Sequence, residues 1–125
     1  QLHGDETPEY CEKLSNKFKV IKAFRVSNLF PNKVDNYQSC CDYYLFDTAG
    51  KTYGGTGEAF NHKVVLDNHI NKPFFLSGGI SPNDAEYLKT IQHPYFQGID
   101  INSKFETSPG VKDLQKIKNF IQNLH

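Results

Sequence analysis

Short apolar runs alternate along the chain with segments of helical spacing, a pattern that predicts a parallel sheet covered by helices. The predicted strands are Val20 to Val26, Asp42 to Thr48, Lys72 to Ser77 and Gly98 to Asn102, with Gln1-Leu2-His3 as the stub of an earlier one. Each strand is followed by a turn signal and then a helix. Thr7 and Pro8 open a helix from about Pro8 to Ser15, a weak one is expected around Lys33 to Ser39, and another near Phe60 to Asn68. Ser81 and Pro82 start a helix reaching about Thr90. A last helix from Val111 to Leu124 carries Leu114, Ile117, Ile121 and Leu124 on one stripe.

Composition adds bounds to this picture. Apolar residues make up 38% and aromatics 14% of the 125 residues, enough for the core of one domain. Fourteen basic and fourteen acidic side chains cancel, so no global field draws the surface to nucleic acid or to an anionic membrane. Any bound anion has to be held locally. No apolar run has the length of a membrane span. Cys11, Cys40 and Cys41 form neither an even disulfide framework nor a metal motif, which points to free thiols in a reducing cytoplasm. The chain opens on Gln1 and contains no methionine, and the expectation is a processed or partial product.

In parallel β/α folds, chemistry gathers at the carboxyl ends of the strands. Those positions are His3, Arg25, Asp47, Ser77 with Gly78 and Gly79, and Asp100 with Asn102 and Ser103. From place alone, Asp47 serves equally as an acid or as a cap for its loop. Two adjacent glycines by themselves favour a tight turn over an anion cradle, and a lone histidine such as His3 is more often a packed polar residue than a ligand contact.

The order and spacing of several motifs bear on these alternatives. Gln1-Leu2-His3-Gly4, Leu45-Phe46-Asp47-Thr48, Gly54-Gly55-Thr56-Gly57 with Phe60, Leu76-Ser77-Gly78-Gly79-Ile80, and Gly98-Ile99-Asp100 followed by Glu106 to Asp113 resemble the phosphoribosylanthranilate isomerases of tryptophan biosynthesis. The resemblance implies an α/β fold, a partial (βα)8 TIM barrel made of strands four to eight with their helices and a parallel sheet. Residues 1–125 are then the C-terminal part of a single barrel domain. It also implies an Amadori rearrangement of a phosphorylated aminosugar, with no metal and no organic cofactor.

By the same resemblance Asp47 is the general acid and Asp100 an auxiliary. His3 and Thr56 contact the substrate, and Gly78, Gly79, Asn102 and Ser103 hold its phosphate. To act as an acid near neutral pH Asp47 needs an apolar surround, expected from Tyr44, Phe46 and the glycine loop. The helix opening near Ser81 is expected to add its dipole to the phosphate site. Two positions depart from the family pattern: Lys104 stands where a glycine is usual and is expected to be solvated, and His62 replaces an aromatic partner of Phe60.

The family's base, a cysteine on the first strand, has no counterpart among Cys11, Cys40 and Cys41. The chain alone is therefore expected to be inactive. Its open strand edges are expected to be covered by self-association or by the N-terminal barrel portion. A non-catalytic phosphate-binding half-barrel is the competing reading. Indole-glycerol-phosphate synthase fits less well, lacking the Asp-Thr and GGTG arrangement.

Overall fold

The protein is described by a computed structural model covering residues 1–48 and 57–125, with side chains from His62 onward in the second stretch. Four strands, β1 (Ile21–Arg25), β2 (Tyr43–Asp47), β3 (Phe74–Ser77) and β4 (Phe96–Ile99), form one parallel sheet in chain order. Leu2 adds a single parallel bridge to Lys22, donating its amide to Ile21 at 2.9 Å and accepting from Ala23 at 2.8 Å. The opening stub thus lies beyond β1.

The helices are α1 (Pro8–Ser15), α2 (Gly57–Leu66), α3 (Ala85–Lys89) and α4 (Leu114–Leu124). α1 starts as expected, with the Thr7 hydroxyl accepting from the Tyr10 amide at 3.3 Å and proline at the first helical position. Between β1 and β2 the chain forms only a 3-10 turn, Val34–Tyr37, in place of the weak helix around Lys33 to Ser39. Val34 and Tyr37 are its buried members, and one turn suffices to bring both to the core.

Strand alternation assigns the faces. Phe24, Tyr44, Phe46, Phe74 and Leu76 share the face that packs on Cys11, Val34, Val65 and Ile70. A second cluster, Ile80, Ala85, Leu88, Phe105 and Phe120, joins α3 to α4. The opposite face carries Ala23, Leu45 and the rings of Tyr43 and Phe75, 5.6 Å apart.

Lys22 breaks the apolar run of β1 yet is almost wholly buried. Its ammonium donates to the Gly4 carbonyl at 2.7 Å, to the Ala23 carbonyl at 3.3 Å and to Glu6 at 3.1 Å, and lies over the rings of Phe24 and Tyr37. A buried ammonium must be paired to persist. The pairing fastens the N-terminal stub to the sheet.

The C-terminal part differs from its sequence expectation in two places. β4 lies at Phe96–Ile99 and not at Gly98 to Asn102, because Phe96 packs on Phe74 with ring centroids 5.9 Å apart and anchors the strand earlier. A register shift between Phe74 and Phe75 absorbs the change, and the Asp100 amide still donates to Leu76 at 2.8 Å. The last helix begins at Leu114, not Val111. Asp113 caps it by accepting from the Lys116 amide at 3.0 Å. Val111 instead enters an antiparallel hairpin, β5 (Glu106–Ser108) with β6 (Val111–Lys112), turned at Gly110 with φ 81°.

Candidate active site

The parallel register sets the last residues of three strands side by side, since Arg25 pairs with Asp47 and Asp47 with Ser77. All three lie on the face of Ala23 and Leu45. His3 stands at the tip of the stub on one side of this row, and Asp100 follows β4 on the other.

Among the described residues, two clefts open at these tips. One, of about 50 Å³, is lined by His3, Ala23, Phe24, Arg25 and Asp47. The other, of about 150 Å³, is lined by Asp47, Ser77 to Ile80, Asp100 and Asn102 to Lys104. Asp47 is the wall common to both. A larger hollow of about 570 Å³ lies next to the first, between His3 to Asp5 and Pro31 to Lys33, and is not lined by Asp47. Volume alone would choose that hollow, whereas the chemistry of the strand tips chooses the two smaller clefts.

The structure therefore brings together Asp47, Gly78, Gly79, Asp100, Asn102 and Ser103 in one cleft, and His3 with Asp47 in its neighbour. Thr56 lies outside the described residues. The surround expected for Asp47 is corrected: Tyr44 and Phe46 belong to the helix-facing side of β2, because side chains alternate and residues one and three positions before Asp47 point away from it. Leu45 and Arg25 are the neighbours on its own face.

The second cleft is built from backbone. Gly78 and Gly79 adopt φ values of 96° and 64°, a left-handed path that side chains disfavour. The turn is braced from β2, where the Thr48 amide and hydroxyl each donate to the Ser77 carbonyl at 3.0 Å. Downstream, the Asp84 carboxylate accepts from the Ser81 amide at 2.6 Å, and Ser81 caps a single 3-10 turn, Pro82–Asp84. That turn and the five residues of α3 make a short helical segment. The segment is too short to carry the helix dipole expected there.

On the facing side Ser103 opens a 3-10 turn, Ser103–Phe105, whose Phe105 amide donates to the Asn102 carbonyl at 2.9 Å. The Asn102 side-chain oxygen accepts from Lys112 at 2.6 Å, which holds that side chain against β6. Lys104 is exposed, as expected of a solvated residue, but it also lines the cleft. The Ser77 hydroxyl lies 3.5 Å from Asp100 Oδ2, linking the tips of β3 and β4. Thr48 had no role in the sequence reading. Its only sequence signal is its place directly after a strand-end carboxylate.

The three cysteines lie away from these clefts and are free and buried. Cys40 and Cys41 precede β2 at the opposite end of the sheet, both donating to the Tyr37 carbonyl. Burial pushes all three thiols up, Cys41 to about 12, so they stay protonated and unreactive near neutrality.

His62 is 3% exposed, with its ring stacked on Tyr87 at 5.9 Å and 9°. Among the described residues neither ring nitrogen meets a partner in hydrogen-bonding geometry. Burial pushes its pKa down, against weaker opposing contributions from Asp84 and the Ser77 backbone. The folded protein thus favours neutral imidazole, while the unfolded chain protonates below about pH 6.5. Stability is expected to fall as pH drops through that value. His62→Phe should remove this acid sensitivity and stabilise the protein by about 1 to 2 kcal/mol, since an unsatisfied buried polar group is replaced by an apolar ring. Urea unfolding of both proteins at pH 7.5 and pH 5.5 measures it; an unchanged gap between the two pH values would count against a neutral, unpartnered His62.

A family model described as N-(5'phosphoribosyl)anthranilate (PRA) isomerase matches residues 1–123. The N-(5'-phosphoribosyl)anthranilate isomerase of Parabacteroides distasonis is 44% identical over 99% of this chain and 57% of its own length. That of Phocaeicola vulgatus is 42% identical over 99% and 62%. The crystal structure of phosphoribosyl anthranilate isomerase from Thermotoga maritima superposes with a TM-score of 0.78 at 34% identity, covering 99% of this chain and 60% of that one. A solved phosphoribosyl anthranilate isomerase in complex with reduced 1-(o-carboxyphenylamino)-1-deoxyribulose 5-phosphate gives 0.70 at 31% identity, covering 99% and 57%. The chain spans about three-fifths of the length of these curated relatives.

Proposed function

The chain belongs to the N-(5'-phosphoribosyl)anthranilate isomerase family, and from that premise we propose that it supplies strands four to eight of an eight-stranded βα barrel catalysing the family's Amadori rearrangement. The substrate is N-(5-phosphoribosyl)anthranilate and the product 1-(2-carboxyphenylamino)-1-deoxyribulose 5-phosphate, a step of tryptophan biosynthesis. The observation that carries this reading is the shared cleft, which Asp47, Gly78 and Gly79 line together.

In the proposed reaction the substrate phosphate sits against Gly78, Gly79, Asn102 and Ser103. Asp47, in its acid form, protonates the furanose ring oxygen; the bond from that oxygen to C1 breaks, and the nitrogen lone pair forms a Schiff base. A base then removes the C2 proton to give an enolamine, which tautomerises to the ketone. Asp100 assists from the tip of β4, and His3 and Thr56 contact the aromatic half. The base comes from the part of the family's length that this chain does not span. Cys11, Cys40 and Cys41 are excluded by burial and by their distance from the strand tips.

The same reading has the outer strands, the stub beside β1 and β4 at the far edge, pair with that remaining barrel portion or with another copy. Free thiols suit a reducing compartment, and we place the reaction in the cytoplasm. The test is turnover of the substrate followed by NMR of the sugar carbons, using the chain alone and the chain supplied with the N-terminal barrel portion. Ketone formation only in the second sample is expected. Phosphate-ligand binding without ketone in either sample would favour a non-catalytic half-barrel.

A further inference from the structure

We propose that Lys112 is a positioning residue of the phosphate cleft: from outside it, the Lys112 ammonium fixes which end of the Asn102 side-chain amide is offered to the phosphate. The inference rests on the isomerase reading above and deepens its phosphate site. Asn102 lines the cleft, whereas Lys112 does not.

The contact sets the amide's orientation by chemistry alone. Lys112 Nζ donates to Asn102 Oδ1 at 2.6 Å. An ammonium carries three donors and no acceptor, so the end of the amide that faces it is the carbonyl oxygen. The other end is the NH2 group, which among the described residues donates to no partner. A phosphate monoester presents acceptor oxygens, and a donor is what it needs from its surround. Turned by half a rotation about its last bond, the amide would set its own oxygen against that anion and its NH2 against a cation. Lys112 disfavours that arrangement before any ligand arrives.

The lysine is itself held in place. Its Nζ also donates to Glu106 Oε1 at 2.5 Å, and Glu106 Oε2 accepts from the Gly110 amide at 3.2 Å across the hairpin turn. Glu106 and Lys112 are register partners of β5 and β6. The base of the hairpin is anchored in turn. The Asp113 amide donates to the Phe105 carbonyl at 2.8 Å, and Phe105 is fully buried, with its ring centroid 4.8 Å from that of Phe120. The Lys112 side chain is two-fifths exposed, and an ion pair so placed contributes little to folding. Its measurable consequence is therefore in binding.

The experiment uses the full-length protein with two probes, N-(5-phosphoribosyl)anthranilate as substrate and inorganic phosphate as competitive inhibitor. For Lys112→Met, KM and the inhibition constant of phosphate are expected to rise together, about 5- to 20-fold, while kcat changes far less. Lys112→Arg, which keeps donors at that place, should recover part of the loss. In an Asn102→Ala background, Lys112→Met should add less than about twofold, because the two residues act through one contact. An unchanged inhibition constant in Lys112→Met, or an undiminished effect of Lys112→Met in the Asn102→Ala background, overturns the proposal while the isomerase reading stands. Absence of turnover by the wild-type protein overturns that reading instead, and titration calorimetry of inorganic phosphate on the same variants then decides the role of Lys112 by itself.

Discussion

Asp47→Asn is expected to lower kcat of the full-length protein by about two to four orders of magnitude, the usual weight of a positioned general acid. Substrate affinity should change little. The amide is nearly isosteric with the carboxylic acid, and the proposed phosphate contacts come from separate elements, the Gly78–Gly79 turn and the residues after β4. An asparagine can still donate a hydrogen bond to the ring oxygen, but it cannot deliver a proton, so the ring-opening step alone suffers. Rates measured at saturating substrate, with binding followed separately by titration calorimetry, separate the two effects. A variant retaining more than a tenth of wild-type kcat would remove Asp47 from the role of acid, and the shared cleft would then need another explanation.

The largest effect on stability is expected from Phe46→Ala, about 3 to 5 kcal/mol. Phe46 is 0% exposed and its ring centroid lies 5.4 to 5.9 Å from those of Phe24, Phe30, Tyr44 and Phe74. These aromatics join three adjacent strands to the loop after β1. Truncation therefore leaves a cavity that several neighbours border and none can fill without moving the sheet. Against a typical net stability of about 5 to 15 kcal/mol, such a loss is a large fraction of the whole. Phe46→Leu, which keeps most of the volume, should cost less. Urea denaturation of both variants decides the point, and a cost below about 1 kcal/mol for the alanine would mean that this cluster is not the centre of the fold. Phe46 immediately precedes Asp47, so a shift of β2 would also be read in kcat.

The elements were largely legible in the chain because their signals are local. Thr7-Pro8 caps α1, the β-branched and aromatic runs make β1 to β3, and glycines mark the turn after β3. The exceptions each have a non-local cause. β4 is displaced toward Phe96 by packing on Phe74, and the hairpin of Glu106 to Lys112 pairs residues across a turn, with a salt bridge between its strands, that periodicity does not encode.

Much of the site was legible for the same reason. Residues at strand ends are recognisable from where the apolar runs stop, and the family motifs point to Asp47, Gly78, Gly79, Asp100, Asn102 and Ser103, which line one cleft. The surround of Asp47 was misjudged because neighbours in sequence were taken as neighbours in space, while a strand sends alternate side chains to opposite faces.

What the amino-acid order determined by itself was therefore the places of β1 to β3 and α1 and the residues that end those three strands. Only the tertiary structure decided that Lys22 is buried and bonded to the stub, that His62 is enclosed with no hydrogen-bonding partner among the described residues, and that Arg25 stands directly across from Asp47. The physical reason is tertiary packing: strand pairing is settled by distant hydrogen bonds and by side-chain packing across the sheet, so that a slip of one residue would turn Lys22 and Arg25 to the other face, and His62 is enclosed only by the docking of α2 against Tyr87.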